Sequence, residues 1–425
     1  MSDETSVCVV GLGRIGLPLA VQCASKGLSV TGCDIDAEIV ETVNEGRCPY
    51  PDEEGLAEGI AAAHATGRLR ASTDTAAAVR SCRVVIIVVP VGLSADNHAD
   101  FAALDGAAQA MARGLQPDTL VILETTVPAG TTRRRLGPML EPSGLRVGLD
   151  LFLAYSPERV FVGRVLSDLR RYPKVVGGVD EASTQRAAAF YERALDASVL
   201  RVADCETAEL VKLAETTYRD VNIALANELA QVADQHGVDV TEVIGAANSQ
   251  PFSHIHQPGV GVGGHCIPVY PRFLLEGAPT ARLPKAAREI NDGMARYAVE
   301  KLATALGGLE GKTVLILGLG YRPDVKEAAY SSAFLLERQL SAAGARVLVH
   351  DPQFTTAEIA ALGLEAPSGF PPTHIDALIL QALHKEYRDL DFAVFAGCIV
   401  VLDGRNVLSK EAVESAGMQY LGIGR

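Results

Sequence analysis

Residues 5–16, TSVCVVGLGRIG, decide the fold of this chain. β-branched and apolar residues lead directly into a glycine-rich turn, and a helical pattern then continues over Leu17–Lys26. A second apolar stretch, Leu28–Cys33, ends at Asp34. A strand, a helix and a second strand in this order form a βαβ unit, and parallel strands joined by helices predict a doubly wound α/β sheet.

The same turn predicts a dinucleotide site, because Gly11-Leu12-Gly13-Arg14-Ile15-Gly16 lies between a strand and a helix. The three glycines permit a tight turn, close approach of the backbone to a pyrophosphate, and close packing of helix on strand. Asp34 would accept hydrogen bonds from the adenosine ribose and repel a phosphate there, which favours NAD over NADP. A glycine turn without a ligand is the alternative. The predicted cofactor-binding residues are Gly11, Gly13, Arg14, Ile15, Gly16, Asp34, Pro90 and Thr126.

Two further regions complete the predicted architecture. Residues 204–236 form a helical stretch without Gly or Pro, which at 1.5 Å per residue would be roughly 50 Å long. After Lys312, the strand TVLILGLG begins a second α/β segment that repeats the plan of the first. We therefore predict two Rossmann-like doubly wound domains joined by a helical central domain with a long spanning helix. The expected ranges are 1–200 for the NAD-binding domain, 201–305 for the central domain and 306–425 for the C-terminal domain.

Composition excludes several classes of function. A formal net charge of −14 argues against a nucleic-acid-binding protein, since such proteins carry a surplus of Lys and Arg. The N-terminus does not resemble an export signal, and apolar runs fall short of the roughly 20 residues that a membrane span needs. The eight cysteines are scattered without CxxC pairs, which favours reduced thiols and a cytoplasmic protein.

One cysteine stands in an unusual setting, directly after the glycines of Gly259-Val260-Gly261-Val262-Gly263-Gly264-His265-Cys266. Glycines let the backbone come close to a ligand, so a buried structural role is a poor explanation for Cys266. His254, His256, His265 and Cys266 could suggest a metal, but their spacing is not that of a strong ligand set, and we expect no metal.

Taken in order, these motifs resemble the UDP-sugar 6-dehydrogenase family, and most closely its UDP-N-acetylmannosamine and UDP-N-acetylglucosamine branch. The segments that carry the resemblance are VGLGRIGLP (10–18), ETTVPAG (124–130), SPER (156–159), AELVKLAETTYRDVNIALANE (208–228), QPGVGVGGHCIP (257–268) and GLGYRPD (318–324). The resemblance covers the whole chain. It implies an NAD-dependent oxidation of the C6 alcohol of a nucleotide-linked hexose to a uronic acid.

The resemblance also implies the catalytic roles. Cys266 would be the nucleophile, Lys212 would stabilise the developing oxyanion, Glu158 would activate the hydrolytic water, and Thr126 would help to position it. Thr216 stands where the family has Asn, one helical turn after the lysine, and would donate a single hydrogen bond. Lys212 as a surface residue and Glu158 as a first-turn helix residue are the alternatives.

Three further departures fall in the substrate pocket. Tyr270 replaces an Asp four residues after the cysteine, and Ala329 and Ser332 replace the Arg and Pro of an RxSPA-like segment. The substrate pocket is therefore expected to differ in specificity from that of the family, and a hexose carried by a nucleoside without the diphosphate is an alternative substrate. The predicted substrate-binding residues are Arg219, Asn222, Gly261, Gly263, Gly264, His265, Tyr270, Arg322 and Arg405. For Arg219 and Asn222 a surface or interface role is the alternative, and Arg322 could be a surface residue.

Other functions remain open on the sequence alone. The N-terminal domain and the long helix also occur in β-hydroxyacid dehydrogenases, which perform one two-electron oxidation, although the Cys266 loop and the C-terminal domain argue against that function. The departures also allow a non-catalytic protein that binds NAD and sugar nucleotides. The long helix and the resemblance together predict a homodimer.

Overall fold

The structure is a computed structural model that describes residues 5–425. Its contacts divide the chain into two compact units, residues 5–215 with 272–277, and residues 216–271 with 278–425. Part of the expected helical middle therefore belongs to each unit. The three predicted domain ranges stay a prediction.

The first unit contains an eight-stranded sheet and a separate two-stranded ribbon. Its strands are β1 (Ser6–Val10), β2 (Ser29–Cys33), β3 (Leu69–Ser72), β4 (Val84–Ile87), β5 (Gly92–Leu93), β6 (Ala99–Asp100), β7 (Leu120–Leu123), β8 (Phe152–Tyr155), β9 (Lys174–Gly178) and β10 (Val199–Arg201). The large sheet has the order β10-β9-β8-β7-β4-β1-β2-β3, with parallel neighbours except for the antiparallel pair β8 and β9. β5 and β6 form the antiparallel ribbon.

Helices follow most of these strands. They are α1 (Gly16–Ser25), α2 (Ala37–Asn44), α3 (Leu56–Ala65), α4 (Thr75–Arg80), α5 (Ala102–Ala112), α6 (Gly137–Leu140), α7 (Val165–Arg171), α8 (Glu181–Ala194) and α9 (Cys205–His236), with a π-helical turn at Thr132–Leu136 and a 3-10 turn at Glu141–Ser143. The central strands are apolar throughout, because helices cover a parallel sheet on both faces. Val9, Ile86 and Ile122 from three of these strands are fully buried in one core.

The long helix is confirmed as α9, which has 32 residues and begins one residue after the predicted start. It begins in the first unit and continues into the second. Its length follows from the absence of Gly and Pro, the two residues that most strongly interrupt a helix.

The second unit contains a five-stranded, fully parallel sheet in the order β12-β11-β13-β14-β15. Its strands are β11 (Thr313–Leu317), β12 (Arg346–His350), β13 (Ala377–Leu380), β14 (Val400–Asp403) and β15 (Gln419–Gly422). The remaining helices of the chain are α10 (Val240–Ala247), α11 (Tyr270–Gly277), α12 (Arg282–Leu306), α13 (Ser332–Ala342), α14 (Thr356–Ala361) and α15 (Lys410–Ser415), with 3-10 turns at Lys385–Tyr387 and Phe392–Val394. Two Rossmann-like parallel sheets and a helical middle confirm the predicted fold class. Across residues 5–425, the helices are too short or too polar to span a bilayer.

Candidate active site

The glycine-rich turn after β1 has the shape that a pyrophosphate requires. Gly11 has φ +97°, and a Cβ there would lie 2.6 Å from the Val88 carbonyl oxygen, so only glycine fits without strain. A Cβ at Gly16 would collide with the Gly11 carbonyl. Gly13 faces open space instead, since a Cβ placed there would have no neighbour within 4 Å. The backbone is thus accessible where a phosphate would approach the start of α1.

Asp34, directly after β2, is partly exposed and already oriented by the backbone. Its Oδ2 accepts the N–H of Leu12 at 2.7 Å, and its Oδ1 accepts the N–H of Asp36 at 3.0 Å. Each carboxylate oxygen can accept a further hydrogen bond. These residues therefore fit the adenosine end of NAD.

The other predicted cofactor residues lie around this turn or at later strand ends. Arg14 is exposed and pairs with Asp52 at 2.5 Å, and Ile15 is half-buried against the core. Pro90 is exposed after β4, whereas Thr126 is buried after β7, with 5% of its surface accessible. Carboxyl ends of parallel strands are where ligands bind in open α/β sheets.

Glu158 and Lys212, two of the predicted catalytic residues, are in direct contact. Glu158 follows β8, and its Oε1 accepts the N–H groups of Arg159 at 2.6 Å and Val160 at 2.9 Å. Lys212, in the second turn of α9, donates from Nζ to the Glu158 carbonyl oxygen. A cation and a carboxylate are therefore held together beside the end of β8.

A buried acid–base cluster lies behind Glu158. Lys174, at the start of β9, donates to Glu124 Oε2 at 2.9 Å and lies 3.5 Å from Glu158 Oε2. Tyr191 donates its hydroxyl to the other oxygen of Glu124. Glu124 is fully buried, and burial, together with the neighbouring Glu158, raises its pKa to about 7 against the opposing effect of Lys174.

The pKa of Glu158 is shifted in the opposite direction to that of Glu124. Burial opposes its ionisation, but Lys174, a hydrogen bond with Glu124 and the Lys212 ammonium together lower its pKa. Burial also opposes the charge of Lys174, but the two carboxyl groups raise its pKa, so it stays protonated. The cluster therefore keeps Glu158 ionised, as a base requires.

The predicted nucleophile differs from every other cysteine in the chain. All eight cysteines fall within the described residues, and Cys266 alone is exposed. Its carbonyl oxygen accepts the N–H of Tyr270 at 2.9 Å, which starts α11. Gly264, two residues earlier, has φ +90°, and a Cβ there would lie 2.9 Å from the Tyr321 ring. The glycines therefore let this loop pass close against an aromatic side chain.

Backbone hydrogen bonds fix the loop before Cys266. The N–H of Gly259 donates to Asn227 Oδ1 at 2.9 Å, and the N–H of Val260 donates to the Gly404 carbonyl at 3.1 Å. Arg405 donates from Nη1 to the Gly261 carbonyl at 2.9 Å and from Nη2 to Ser332 Oγ at 3.2 Å.

The same loop is held further along the chain. The N–H of Gly264 donates to the Ala329 carbonyl at 2.9 Å. His265 lies 3.5 Å from the carboxylate of Glu327, and a Cβ at Gly263 would lie 2.7 Å from Tyr321 Cβ. The position of Cys266 is thus set by hydrogen bonds on both sides of the glycines.

A buried polar network supports this loop from the helices. Asp220 accepts from Arg288 Nε at 2.9 Å and from Asn291 Nδ2 at 2.7 Å. Asn291 in turn accepts from Asn227 at 2.8 Å, the residue that holds Gly259. α9 and α12 are therefore linked to the loop by an unbroken series of hydrogen bonds.

The residues predicted to contact the substrate from α9 and α11 differ in their contacts and their exposure. The Asn222 carboxamide donates to the His254 carbonyl at 2.7 Å and accepts from the His256 N–H at 2.9 Å, so it holds the segment before the loop. Arg219 is exposed on α9, and Tyr270 is half-buried at the start of α11. Thr216 is buried one turn after Lys212.

The second sheet also has an acidic residue after its second strand, but that residue is buried and its carboxylate is already hydrogen-bonded. Asp351 is buried, accepts the N–H groups of Leu319 and Gly320 at 2.7 and 2.8 Å, and lies 3.0 Å from His384 Nε2. Ribose hydroxyls could not reach it as they could reach Asp34. Arg322, one of the predicted substrate-binding residues, is half-buried beside this turn, with its guanidinium 5.6 Å from the Tyr321 ring centre.

One group of side chains has the composition of a metal site. Asp324, His384 and Glu386 offer ligand atoms within 4.8 Å of one another. His384 already uses both ring nitrogens, since Nδ1 accepts the Asp324 N–H at 3.0 Å and Nε2 meets Asp351. The group has little to offer a metal, and the expectation of no metal stays a prediction.

Comparison with known proteins identifies the relatives of this arrangement. Three family models match, described as the NAD binding domain (residues 5–195), the central domain (206–293) and the UDP binding domain (315–410) of the UDP-glucose/GDP-mannose dehydrogenase family. The chain belongs to this family. A UDP-N-acetyl-D-mannosamine dehydrogenase of Pyrococcus horikoshii is 33% identical over 427 residues, with 99% of each chain covered. An NDP-N-acetyl-D-galactosaminuronic acid dehydrogenase of Ralstonia solanacearum is 35% identical, with 92% of this chain and 93% of the relative covered.

Solved structures agree with this assignment to the UDP-glucose/GDP-mannose dehydrogenase family. The Pyrococcus horikoshii UDP-D-ManNAc dehydrogenase has a TM-score of 0.88 at 32% identity, with 99% of each chain covered. A UDP-glucose dehydrogenase of Pyrobaculum islandicum has a TM-score of 0.86 at 30% identity, with 100% of this chain and 98% of that chain covered. The predicted resemblance is confirmed, and the chain is an NAD-dependent oxidoreductase of the nucleotide sugar dehydrogenase class.

The motifs of this family do not point to every residue around the site. Glu124 belongs to one of those motifs without a predicted role, and Lys174 and Tyr191 lie outside them. A carboxylate after the apolar run LVIL and a lysine before VVGG are the available signals, since charged residues beside buried strands need partners. Asp220 and Asn227 are also absent from the predicted site, although their spacing of seven residues puts them on one helix face.

Proposed function

We propose that this chain oxidises the C6 primary alcohol of a nucleotide-linked hexose to the uronic acid, with Cys266 carrying the acyl intermediate. Its substrate would be a UDP-hexose or UDP-N-acetylhexosamine. The observation that carries the proposal is the state of Cys266, an exposed thiol on a glycine loop that hydrogen bonds hold in place. Other cysteines of the chain are buried or half-buried.

The first unit supplies the oxidant's site and the groups that move protons. When bound at the turn after β1, NAD supplies the acceptor for a hydride, and two equivalents are used per turnover. Asp34 would hold the ribose, and the N–H groups at Gly13 and the start of α1 would meet the pyrophosphate.

Covalent chemistry explains why a thiol is needed. Loss of a hydride from C6 and of the hydroxyl proton would first convert the alcohol to an aldehyde. The Cys266 thiolate would attack this aldehyde to form a thiohemiacetal, whose carbon again bears a hydrogen and an oxygen. Loss of a second hydride from that carbon gives a thioester. The Lys212 ammonium would stabilise the negative oxygen at each stage, and Thr216 would donate one hydrogen bond where relatives of this type have an amide.

Release of the product needs a base. Glu158 would remove a proton from a water that Thr126 helps to position, and the resulting hydroxide adds to the thioester carbonyl. The carbonyl is restored as the Cys266 thiolate leaves. Because its pKa is lowered by Lys174, Glu124 and Lys212, Glu158 stays ionised for this step at neutral pH.

The relatives support an acetamido-sugar substrate. Several are named UDP-N-acetyl-D-mannosamine dehydrogenase and cover nearly the whole chain. Arg219, Asn222, Tyr270, Arg322 and Arg405 would line or support the substrate site, together with the loop residues Gly261, Gly263, Gly264 and His265. Tyr270 and Ala329, where the family pattern has Asp and Arg, keep a hexosyl nucleoside as the second candidate carrier.

We further propose that the chain acts as a homodimer in the cytoplasm. Four large apolar side chains on α9 recur at intervals of eight, seven and seven residues and are 49, 58, 46 and 42% exposed, which is the pattern of a helix face that meets another protein surface: Leu210, Tyr218, Leu225 and Val232. The eight unpaired cysteines favour a reducing compartment.

A panel experiment tests the reaction. Purified protein with NAD is offered UDP-N-acetyl-D-mannosamine, UDP-N-acetyl-D-glucosamine, UDP-glucose and hexosyl nucleosides, and NADH and uronic acid are both quantified. We expect two NADH per product. A ratio of one would support a hydroxyacid-type dehydrogenase, and no NADH with any member would support a protein that only binds these ligands.

The covalent role is tested with Cys266→Ala and, as its matched control, Cys48→Ala, which changes a half-buried thiol elsewhere. The first change should abolish uronic acid formation, and the second should leave it intact. Unchanged turnover in Cys266→Ala would refute the proposed mechanism.

A further inference from the structure

The cluster behind Glu158 contains more ionisable groups than the proposed reaction uses. Lys174 is 6% exposed and lies between two carboxyl groups, 2.9 Å from Glu124 and 3.5 Å from Glu158. Glu124 is fully buried, yet burying a carboxyl group is costly unless it gains strong partners. A lysine that bridges one accessible and one inaccessible carboxylate connects the site surface to the interior.

We propose that Glu124 and Lys174 form a buried proton relay, in which Glu124 receives through Lys174 the proton that Glu158 removes from the hydrolytic water. This inference rests on the proposed function, because it requires Glu158 to be the base. Glu124 and Lys174 are positioning residues in this scheme, since they act through Glu158.

The proton count balances along the relay. Glu158 gains one proton as water adds to the thioester. The Lys174 ammonium then donates one of its own protons to Glu124 and, as its nitrogen lone pair is freed, takes up the proton of Glu158. Glu158 is then ionised again, Lys174 keeps its charge, and Glu124 is neutral. After the product has left, the reverse transfer returns the proton to Glu158, whose side chain is 12% exposed, and from there to solvent.

The order of proton affinities favours this direction of transfer. The pKa of Glu158 is lowered, while burial raises that of Glu124 to about 7, so a proton captured by Glu158 moves downhill to Glu124. The Tyr191 hydroxyl donates to the second oxygen of Glu124 and favours its ionised form, which is the form that can accept the proton. The ionisable groups facing the two carboxyls are Lys174 from β9, Tyr191 from α8, Cys23 from α1 and Lys212 from α9.

The relay predicts a specific pH dependence. Glu124 can accept a proton only when ionised, so thioester hydrolysis should rise with pH and level off above about 7. Formation of the acyl enzyme does not use the relay and should lack this inflection.

Acetyl transfer separates these steps from the identity of the sugar. The full-length protein, with NAD and UDP present, is treated with p-nitrophenyl acetate, which acetylates a reactive cysteine and releases p-nitrophenolate. Intact mass spectrometry then follows loss of the acetyl group from Cys266, with Cys266→Ala as background. The hydrolysis rate is measured across pH for the parent protein and for each variant.

Glu124→Gln keeps the shape and the hydrogen-bonding capacity but cannot take up the proton. We expect it to slow deacetylation about tenfold and to remove the inflection near pH 7, with acetylation unchanged. The matched control is Glu53→Gln, which changes another buried carboxylate, one that accepts the Gly163 and Val165 N–H groups. The control should leave the pH profile unaltered even if it lowers stability.

The outcomes separate the relay from the function on which it rests. If Glu158→Gln does not slow deacetylation, the assignment of the base is wrong. If Glu158→Gln slows it but Glu124→Gln leaves rate and profile unchanged, only the relay is refuted. Should Glu124→Gln fail to fold, the parent protein still decides, because a hydrolysis rate without an inflection near pH 7 contradicts the relay.

Discussion

Loss of the buried ion pair between Asp220 and Arg288 should destabilise the second unit. Asp220 is fully buried and Arg288 is 4% exposed, and two of their atom pairs are separated by 2.9 and 2.7 Å. Asp220→Ala leaves a buried guanidinium whose remaining partner is Asp292, 3.5 Å away and 44% exposed.

The expected cost follows from that isolated charge. Removing one partner of a buried ion pair costs about 3–5 kcal/mol, because the other charge stays desolvated. Asn291 also loses a 2.7 Å acceptor, which would loosen Asn227 and the loop that it holds. We therefore expect both lower stability and altered reactivity of Cys266.

The assay compares three variants by urea unfolding, followed by far-ultraviolet circular dichroism because the chain has no tryptophan. The variants are Asp220→Ala, Arg288→Met and the double variant Asp220→Ala with Arg288→Met. The double variant should lose much less stability than the sum of the single changes, since it leaves no unpaired charge. A loss under about 1 kcal/mol for Asp220→Ala, or strict additivity, would refute the reasoning.

Three other consequences can be measured directly. Asp34→Ala should weaken NADH binding about 10- to 100-fold in a fluorescence titration, because it removes the ribose acceptor and frees the Leu12 N–H; unchanged affinity would contradict the assigned cofactor site. Burial and the charge of Arg219 lower the pKa of His256 in the folded protein, whereas a histidine in the unfolded chain has a pKa of about 6.5. As the pH falls below about 6.5 the unfolded chain therefore takes up a proton more readily here, and the free energy of unfolding decreases. Arg219→Gln should raise that pKa, as measured by NMR, and reduce the acid loss; an unmoved titration would exclude the charge effect. Leu225→Glu should shift the protein to monomers in light scattering, and an unchanged mass would exclude this helix face from the interface.

Much of the fold was predictable because its signals are local. The turn 11–16 and Asp34 lie within one βαβ unit, so their spacing alone predicts that they lie close together. α9 was predicted to within one residue because nothing in residues 205–236 interrupts a helix. The predicted cysteine was also marked locally, by the glycines before it.

The acid–base cluster could not be predicted in the same way. Glu124 and Lys174 are 50 residues apart, and their meeting depends on β8 lying beside both β7 and β9. Arg405, which donates to the Gly261 carbonyl, lies 144 residues from Gly261 in the chain, and their contact depends on the order of strands in the second sheet. Such contacts are consequences of strand order, which the pattern of a single strand does not encode.

The burial of the Asp351 carboxylate has a consequence for the order of steps in one turnover. Asp351 is buried with His384 Nε2 3.0 Å from its carboxylate, so a ribose cannot reach it as one could reach Asp34, and the turn after β1 is the NAD site that we propose for the chain. A reaction that removes hydride twice must then exchange spent for fresh oxidant midway. The intermediate at the oxidation level of the aldehyde has to stay bound during that exchange. A covalent bond to the Cys266 sulfur would prevent its dissociation.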